Sequence, residues 1–542
     1  MPPSNPSGII VEAFSPSMSQ RLTPRLVRAV FGLSALPLLL WPQAGQSLYQ
    51  SAAAYVQQGD FERAVPLLLE ILSASAGDVK AHNLLAIAYS AMGHREQANE
   101  EFRKILKIQP GFLPVVKNLA VNELSLGQFE DAGLHFEEVL KTAPRDPVAN
   151  FGMGEVDYAR KRYPEAVAHY QLSGDLYLKD PQATLRFARS CLANQKPDDA
   201  AGALERLAPQ ADARARFEAG LLLARLEKYG PAAREFAAAR EKYPDPYEVG
   251  YNLTLAYEKG DDHARAITTG EELVAKGYRK PELYNLLSQA YEHAGRTKNA
   301  YDALRLATQA DPRDESNYVD LMVLCLTHQN YDLSLEISDI AIRLVPQSHR
   351  VRLQRGVVMA MKGRFEDAEQ EFLTASRLGG EASLPFVALA LVRMQMNKLP
   401  EAIEVLRRRR QLNREDYLVD WFLGEALSRD GAPPGSPEER EAVGALEDAV
   451  RVKPDSSAPR TLLGKFLVKR GELERAAESF EKALKLDPDD TTAAYQLALL
   501  YRKKGNAQRA QELFDKVSKA KSEDHDQFTE RNLVRLLREG AQ

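Results

Sequence analysis

Apolar residues recur at spacings of three and four along almost the whole chain after residue 45, in short segments separated by turns. That spacing predicts amphipathic α-helices, each with one buried face and one solvated face. The segments also resemble one another. Residues 84–110, 462–488 and 496–520 each contain an apolar run followed by Gly, Ala and Phe at matching offsets. The pattern therefore predicts many copies of one helix–turn–helix unit.

An alanine in the second half of the unit fixes its register. Most copies are 34 residues apart, and Ser334 fills the expected place in one unit. A glycine five residues earlier suits the turn between two antiparallel helices, since positive φ is free for glycine alone. A phenylalanine four residues later lies on the same helical face and fills the gap to the next unit. The register alanines are Ala98, Ala132, Ala166, Ala200, Ala232, Ala266, Ala300, Ala368, Ala402, Ala476 and Ala510.

A 34-residue unit with these positions resembles the tetratricopeptide repeat (TPR) family. The resemblance implies an all-α fold, a right-handed superhelical solenoid of about 14 helix–turn–helix units covering residues 45–524. The tail at 525–542 carries an apolar stripe and is predicted to be a C-terminal capping helix. Residues 430–439 (DGAPPGSPEE) are an insertion, and their Pro and Gly residues predict an irregular turn between two helices.

The N-terminus has a different composition. Residues 1–17 are rich in Pro and Ser and are predicted to be disordered, with Met18 as an alternative start. Residues 18–44 contain three arginines followed by 13 apolar residues, Ala29–Trp41, which is the order of a secretory signal. This segment predicts a signal peptide or signal anchor, a periplasmic or secreted protein, and membrane association through the N-terminus. The alternative is an apolar cap on a cytoplasmic solenoid.

The charge and the reactive residues favour no catalytic chemistry. A net charge of −5 argues against broad nucleic-acid binding, which requires a basic face. We find no catalytic constellation and no metal-ligand spacing, and we expect no enzyme activity, no cofactor and no bound metal. Cys191 and Cys325 are interpreted as small buried hydrophobic residues. The run Arg407–Arg410 could contact an anionic surface, but an exposed convex face is favoured.

The resemblance also implies that certain first-helix positions line a concave groove. Aromatic residues are frequent there, as in binding hot spots, and we predict a protein or peptide partner. Two alternatives stay open: some of these residues pack between repeats, or the chain is an accessory or targeting subunit of a cell-envelope or polysaccharide-related enzyme complex. The oligomeric state stays open as well. The groove residues are Tyr49, Lys117, Phe151, Tyr158, Phe217, Leu221, Tyr251, Val319, Val323, Leu353, Leu391, Met394, Trp421 and Tyr495.

Overall fold

Antiparallel helix pairs account for nearly all of the structure. The computed structural model describes residues 43–520, and within that range there are 28 α-helices and no β-strand. The described chain divides after Tyr278 into two units, each of seven helical hairpins. The predicted all-α architecture and the count of 14 hairpins are thus confirmed.

The first unit contains the hairpins α1–α2 to α13–α14, with a short 3₁₀ helix at Gly174–Lys179 after α8. Its helices are α1 (Gln43–Gln58), α2 (Phe61–Ala74), α3 (Val79–Met92), α4 (Arg95–Ile108), α5 (Leu113–Ser125), α6 (Phe129–Thr142), α7 (Pro147–Ala159), α8 (Tyr163–Leu172), α9 (Pro181–Ala193), α10 (Pro197–Leu204), α11 (Ala213–Arg225), α12 (Tyr229–Ala239), α13 (Pro246–Lys259) and α14 (His263–Ala275).

The second unit contains the hairpins α15–α16 to α27–α28. Its helices are α15 (Pro281–His293), α16 (Thr297–Ala310), α17 (Glu315–Thr327), α18 (Tyr331–Leu344), α19 (His349–Met361), α20 (Phe365–Leu378), α21 (Leu384–Gln395), α22 (Leu399–Leu412), α23 (Tyr417–Arg429), α24 (Pro437–Val452), α25 (Ala458–Lys469), α26 (Leu473–Leu486), α27 (Thr491–Lys503) and α28 (Ala507–Ala520).

Many first helices begin at an aspartate that caps them. The Asp78 carboxylate accepts hydrogen bonds from the backbone N–H groups of Lys80 and Ala81, both at 2.9 Å. Asp146 does the same for the first turn of α7. These carboxylates satisfy N–H groups that have no partner inside the helix, and they face its positive end. Capping therefore fixes where a hairpin starts.

The turn inside each hairpin requires a left-handed residue, and glycine does not always supply it. Gly127 has φ 74°, as the sequence predicts, but Glu227 has φ 58° at the same repeat position. This conformation costs an ordinary residue about 1–2 kcal/mol, so packing between the two helices must impose it. The expectation that only glycine adopts this conformation here is wrong. The non-glycine residues with positive φ are Lys161, Gln195, Glu227, Asp261, Gln329 and Asn397.

The register residues form the core of each hairpin. Ten of the register alanines are fully buried, and Ala510 is 3% exposed. The aromatic ring four residues later lies against a first-helix glycine, for example Phe480 against Gly464. Phe136 instead contacts Gly152 of the next hairpin, as the sequence pattern predicts. Gly154 faces Tyr170 of its own hairpin, which gives it a packing role.

The irregular loop formed by the insertion at residues 430–439 is shorter than the sequence predicts. Helix α24 begins at Pro437, so Pro437, Glu438 and Glu439 form its first turn. Ser436 Oγ accepts a hydrogen bond from the Glu439 N–H at 3.1 Å, and the Glu439 carboxylate accepts one from the Gly435 N–H at 2.6 Å. This reciprocal capping resembles a capping box and fixes the start of the helix.

Three predicted segments fall on residues that the structure does not describe. They are the disordered segment 1–17, the signal 18–44 except for its last two residues, and the capping helix 525–542. Among helices within residues 43–520, none combines the length and the apolar character needed to cross a membrane.

Candidate functional site

All fourteen predicted groove residues lie on the first helices of their hairpins. Seven belong to the first unit and seven to the second. Residues at corresponding positions repeat every 34 residues or so, and helices such as α17 and α19 contact one another directly. Each unit therefore presents a row of first helices, and the predicted residues lie along that row.

Nine of the fourteen side chains are buried. Phe217 illustrates the reason, because its ring packs against Phe236 and Tyr243 with centroids 5.4 and 4.2 Å away. Trp421 is 6% exposed and stacks on Phe422. Such residues stabilise the hairpins and leave little surface for a partner. The nine are Phe151, Phe217, Leu221, Tyr251, Val319, Leu353, Leu391, Met394 and Trp421.

The other five side chains are accessible to different degrees: Tyr49, Lys117, Tyr158 and Val323 are half-buried, and Tyr495 is 42% exposed. Their role in partner binding stays a prediction. Lys117 already has a structural contact, because its ammonium lies 2.8 Å from Asp146, the residue that caps α7.

A polar network runs across the first helices of the first unit. Glu155 forms an ion pair with Arg186 at 2.9 Å and accepts a hydrogen bond from the Tyr170 hydroxyl at 2.6 Å. Arg189 pairs with Glu218 at 2.5 Å. Burial raises the pKa of Glu218, and the charge of Arg189 opposes that rise. The network links neighbouring hairpins through charges that are partly desolvated.

The sequence pattern does not indicate this network. Its partners are about one repeat apart, as in Glu155 and Arg186, and polar residues at first-helix positions look like a solvated face. The signal that could have found it is opposite charges at a separation close to the repeat length.

A second recurrent feature joins the two helices of single hairpins. In four hairpins, a polar side chain on the first helix forms a hydrogen bond with the side chain 19 residues later on the second helix. The ion pair Arg216–Glu235 has an N–O distance of 3.0 Å, and so does Arg352–Glu371. The pairs are His82–Glu101, Asn150–His169, Arg216–Glu235 and Arg352–Glu371.

Only the first two arginines of the run are exposed, as the sequence favours. Arg409 is 4% exposed and donates to Ser383 Oγ at 3.0 Å. Arg410 lies between the carboxylates of Asp420 and Asp448, at 2.5 and 2.8 Å. The last two arginines are therefore used within the fold, because their own hairpin and the next one bring acceptors to them.

The cysteines have the buried environment that the sequence predicts. Both are free, and burial raises the pKa of Cys191 to about 12 and that of Cys325 to about 11. A thiol needs a low pKa to act as a nucleophile at neutral pH. These two residues therefore contribute packing.

Comparison with known families agrees with the repeat geometry. One tetratricopeptide repeat model matches residues 55–121 and 467–529, and another matches residues 118–174, 251–315 and 440–491. Together they cover about half of the chain. The chain belongs to the tetratricopeptide repeat family. As a TPR protein it is a protein-interaction scaffold.

Three individual proteins resemble parts or most of the chain. The type IV pilus assembly protein PilF of Pseudomonas aeruginosa is 29% identical over 178 residues, which are 32% of this chain and 64% of PilF. Yeast Tom70 is 17% identical, with 92% of this chain and 96% of Tom70 covered and a TM-score of 0.38. YrrB, described as a TPR protein with an unusual peptide-binding site, is 22% identical, with 38% and 99% covered and a TM-score of 0.29.

Proposed function

We propose that this protein is an exported scaffold that holds a segment of a partner protein along the first-helix rows of its units. The observation that carries the proposal is the position of the accessible aromatic residues. Tyr49, Tyr158 and Tyr495 are at predicted groove positions and keep accessible surface. Tyrosine offers a large contact area with few rotatable bonds, which suits a binding surface.

The second helices carry exposed ion pairs together with exposed apolar residues such as Leu134. Their outward positions carry pairs such as Glu478 and Lys482, whose charged atoms are 2.6 Å apart and well exposed. Pairs of this kind are typical of a solvated helix face and contribute little to binding. The proposal for the first helices therefore rests on the predicted groove positions and their accessible tyrosines.

Site-specific photo-crosslinking would test the groove. With p-benzoylphenylalanine in place of Tyr158 or Tyr495, we expect irradiated cells to yield adducts with another protein, because both side chains are accessible at groove positions. The matched control is Leu134, which is 66% exposed on the second helix α6. The proposal fails if Leu134 gives the same adducts, or if neither tyrosine position gives any.

Export is supported by the sequence of residues 18–44 alone. We expect the native protein to fractionate outside the cytoplasm, and replacing Leu38 and Leu39 by arginine should retain it inside, because charges in the apolar run prevent membrane insertion. Fractionation and N-terminal sequencing of both forms would measure this. Parent protein found entirely in the cytosol at full length would exclude export.

The match to PilF favours a second candidate function. PilF is a pilus assembly protein, and this chain could serve a cell-envelope assembly or polysaccharide machine as an accessory subunit. The same crosslinks distinguish the two cases. Adducts with a subunit of an envelope enzyme complex would support the accessory role. Adducts with proteins outside such a complex would support a general scaffold.

A further inference from the structure

Asp320 is a carboxylate on the predicted groove face of the second unit. It lies on α17 beside Val319 and Val323, two predicted groove residues. Residues 316, 319, 320 and 323 fall on one stripe of this helix, because three- and four-residue steps return to the same face. Helix α19 contacts α17 and carries the same stripe one repeat later, with Leu353 at the position that corresponds to Val319.

This carboxylate has no hydrogen-bond donor among the side chains and backbone of residues 43–520. Arg350 is the cation that acts on it, but the Arg350 guanidinium is held elsewhere. Its Nη1 donates to Ser316 Oγ at 3.1 Å and lies 3.8 Å from a Glu315 carboxylate oxygen. A half-buried carboxylate that makes no hydrogen bond within the protein adds little to fold stability, so stability alone does not explain this residue.

The electrostatics agree with that view. Burial raises the pKa of Asp320 to about 6, and Arg350 only partly opposes the rise. Near neutral pH the group is mainly ionised. A cation that approached it would therefore meet a negative charge whose hydration is already reduced, and Coulomb attraction is stronger in such a setting than in water.

The neighbouring groove positions are apolar. Val323 is half-buried and offers a hydrocarbon edge on the same stripe as the carboxylate, whereas Val319 and Leu353 are buried beneath the surface. Lysine and arginine have a long aliphatic stem with a charge at its end, and they place the stem on apolar surface while the charge reaches a polar partner. The stripe on α17 matches that shape.

We propose that the second unit binds a partner segment through a lysine or arginine side chain that pairs with Asp320, with apolar residues on either side of that side chain. The inference rests on the proposed groove function and names the chemistry of its occupant. An acidic segment is disfavoured because it would face the unpaired carboxylate. Asp320 is thus a residue that determines specificity.

Selection from a displayed library of random 12-residue peptides would test this. The three targets are the parent chain, Asp320→Asn, and the control Asp302→Asn, whose side chain is 47% exposed on the second helix α16. We expect the parent and the control to enrich peptides with a Lys or Arg between apolar residues. A synthetic peptide of that consensus should bind Asp320→Asn about tenfold more weakly, as expected for the loss of one charge-assisted hydrogen bond. Circular dichroism would verify that all three targets are folded.

The possible results separate the two proposals. Peptides without a basic residue, or basic peptides that bind Asp320→Asn as tightly as the parent, would overturn the assignment of Asp320 and leave the groove function standing. Failure of all three targets to enrich any peptide would count against both. A peptide in which Gln replaces the basic residue should bind the parent as weakly as the original peptide binds Asp320→Asn.

Discussion

Replacing Gly464 by alanine is expected to destabilise the second unit by about 1–3 kcal/mol, the usual cost of overpacking a core. A Cβ atom at Gly464 would lie 2.5 Å from Phe480 Cε1, and the Phe480 ring is fully buried. The ring has no room to move away because it fills the space between the two helices. Urea unfolding followed by circular dichroism would measure the loss as a lower midpoint.

A glycine-to-alanine substitution at another position should raise the stability instead of lowering it. Gly444 lies inside α24, and no atom lies within 4 Å of a Cβ added there. Gly444→Ala should therefore stabilise the unit by about 1 kcal/mol through helix propensity. Adding Phe480→Leu to Gly464→Ala should recover part of the loss. A Gly464→Ala protein as stable as the parent would show that the ring does not require the glycine.

The hairpins could be predicted because their signals are short-range. Ala98 and Phe102 are four residues apart on one helix, and both are completely buried. A helix that must bury one face against its neighbour shows this spacing in its sequence, whatever the rest of the chain does. The turn was harder to predict, because Glu227 adopts a conformation that its residue type disfavours.

The candidate site was predicted less well, for a physical reason. Register places a residue such as Leu391 on the groove face, but burial depends on the side chains of adjacent repeats. Leu391 is 8% exposed, whereas Tyr495, which the sequence places in the same row, is 42% exposed. Periodicity reports the direction of a side chain and not the depth at which it lies.

Long-range polar contacts were also missed. Glu155 and Arg186 belong to different hairpins, and nothing local in either sequence marks them as partners. Arg410 and Asp420 are closer along the chain, but they lie on α22 and α23, which belong to different hairpins. Reading Arg407–Arg410 as a solvated face treated α22 as an isolated helix, whereas the next hairpin covers one side of it.

The Arg410–Asp420 pair leads to the second large effect. Asp420 is fully buried, its Oδ1 lies 2.5 Å from Arg410 Nε, and its Oδ2 is buried without a hydrogen bond. Arg410→Met should cost about 3–5 kcal/mol at pH 7, because it leaves a buried charge without its partner. Arg408→Met is the matched control, since Arg408 is exposed on the same helix, and should change stability by less than about 0.5 kcal/mol.

The pH dependence distinguishes loss of the charge pair from loss of packing. Burial raises the pKa of Asp420 from its ordinary 3.8 to about 6, although Arg410 opposes the rise. A raised pKa in the folded state means that the neutral carboxyl favours folding. Its contribution to the free energy of unfolding is fully present below pH 3.8 and is lost as the pH rises through the folded pKa. Without Arg410 the folded pKa should rise further. The deficit of Arg410→Met should therefore be largest at pH 7 and clearly smaller at pH 5 in urea unfolding, and Asp420→Asn should restore much of it. Equal deficits at both pH values would mean that Arg410 acts through its hydrocarbon stem and not through its charge.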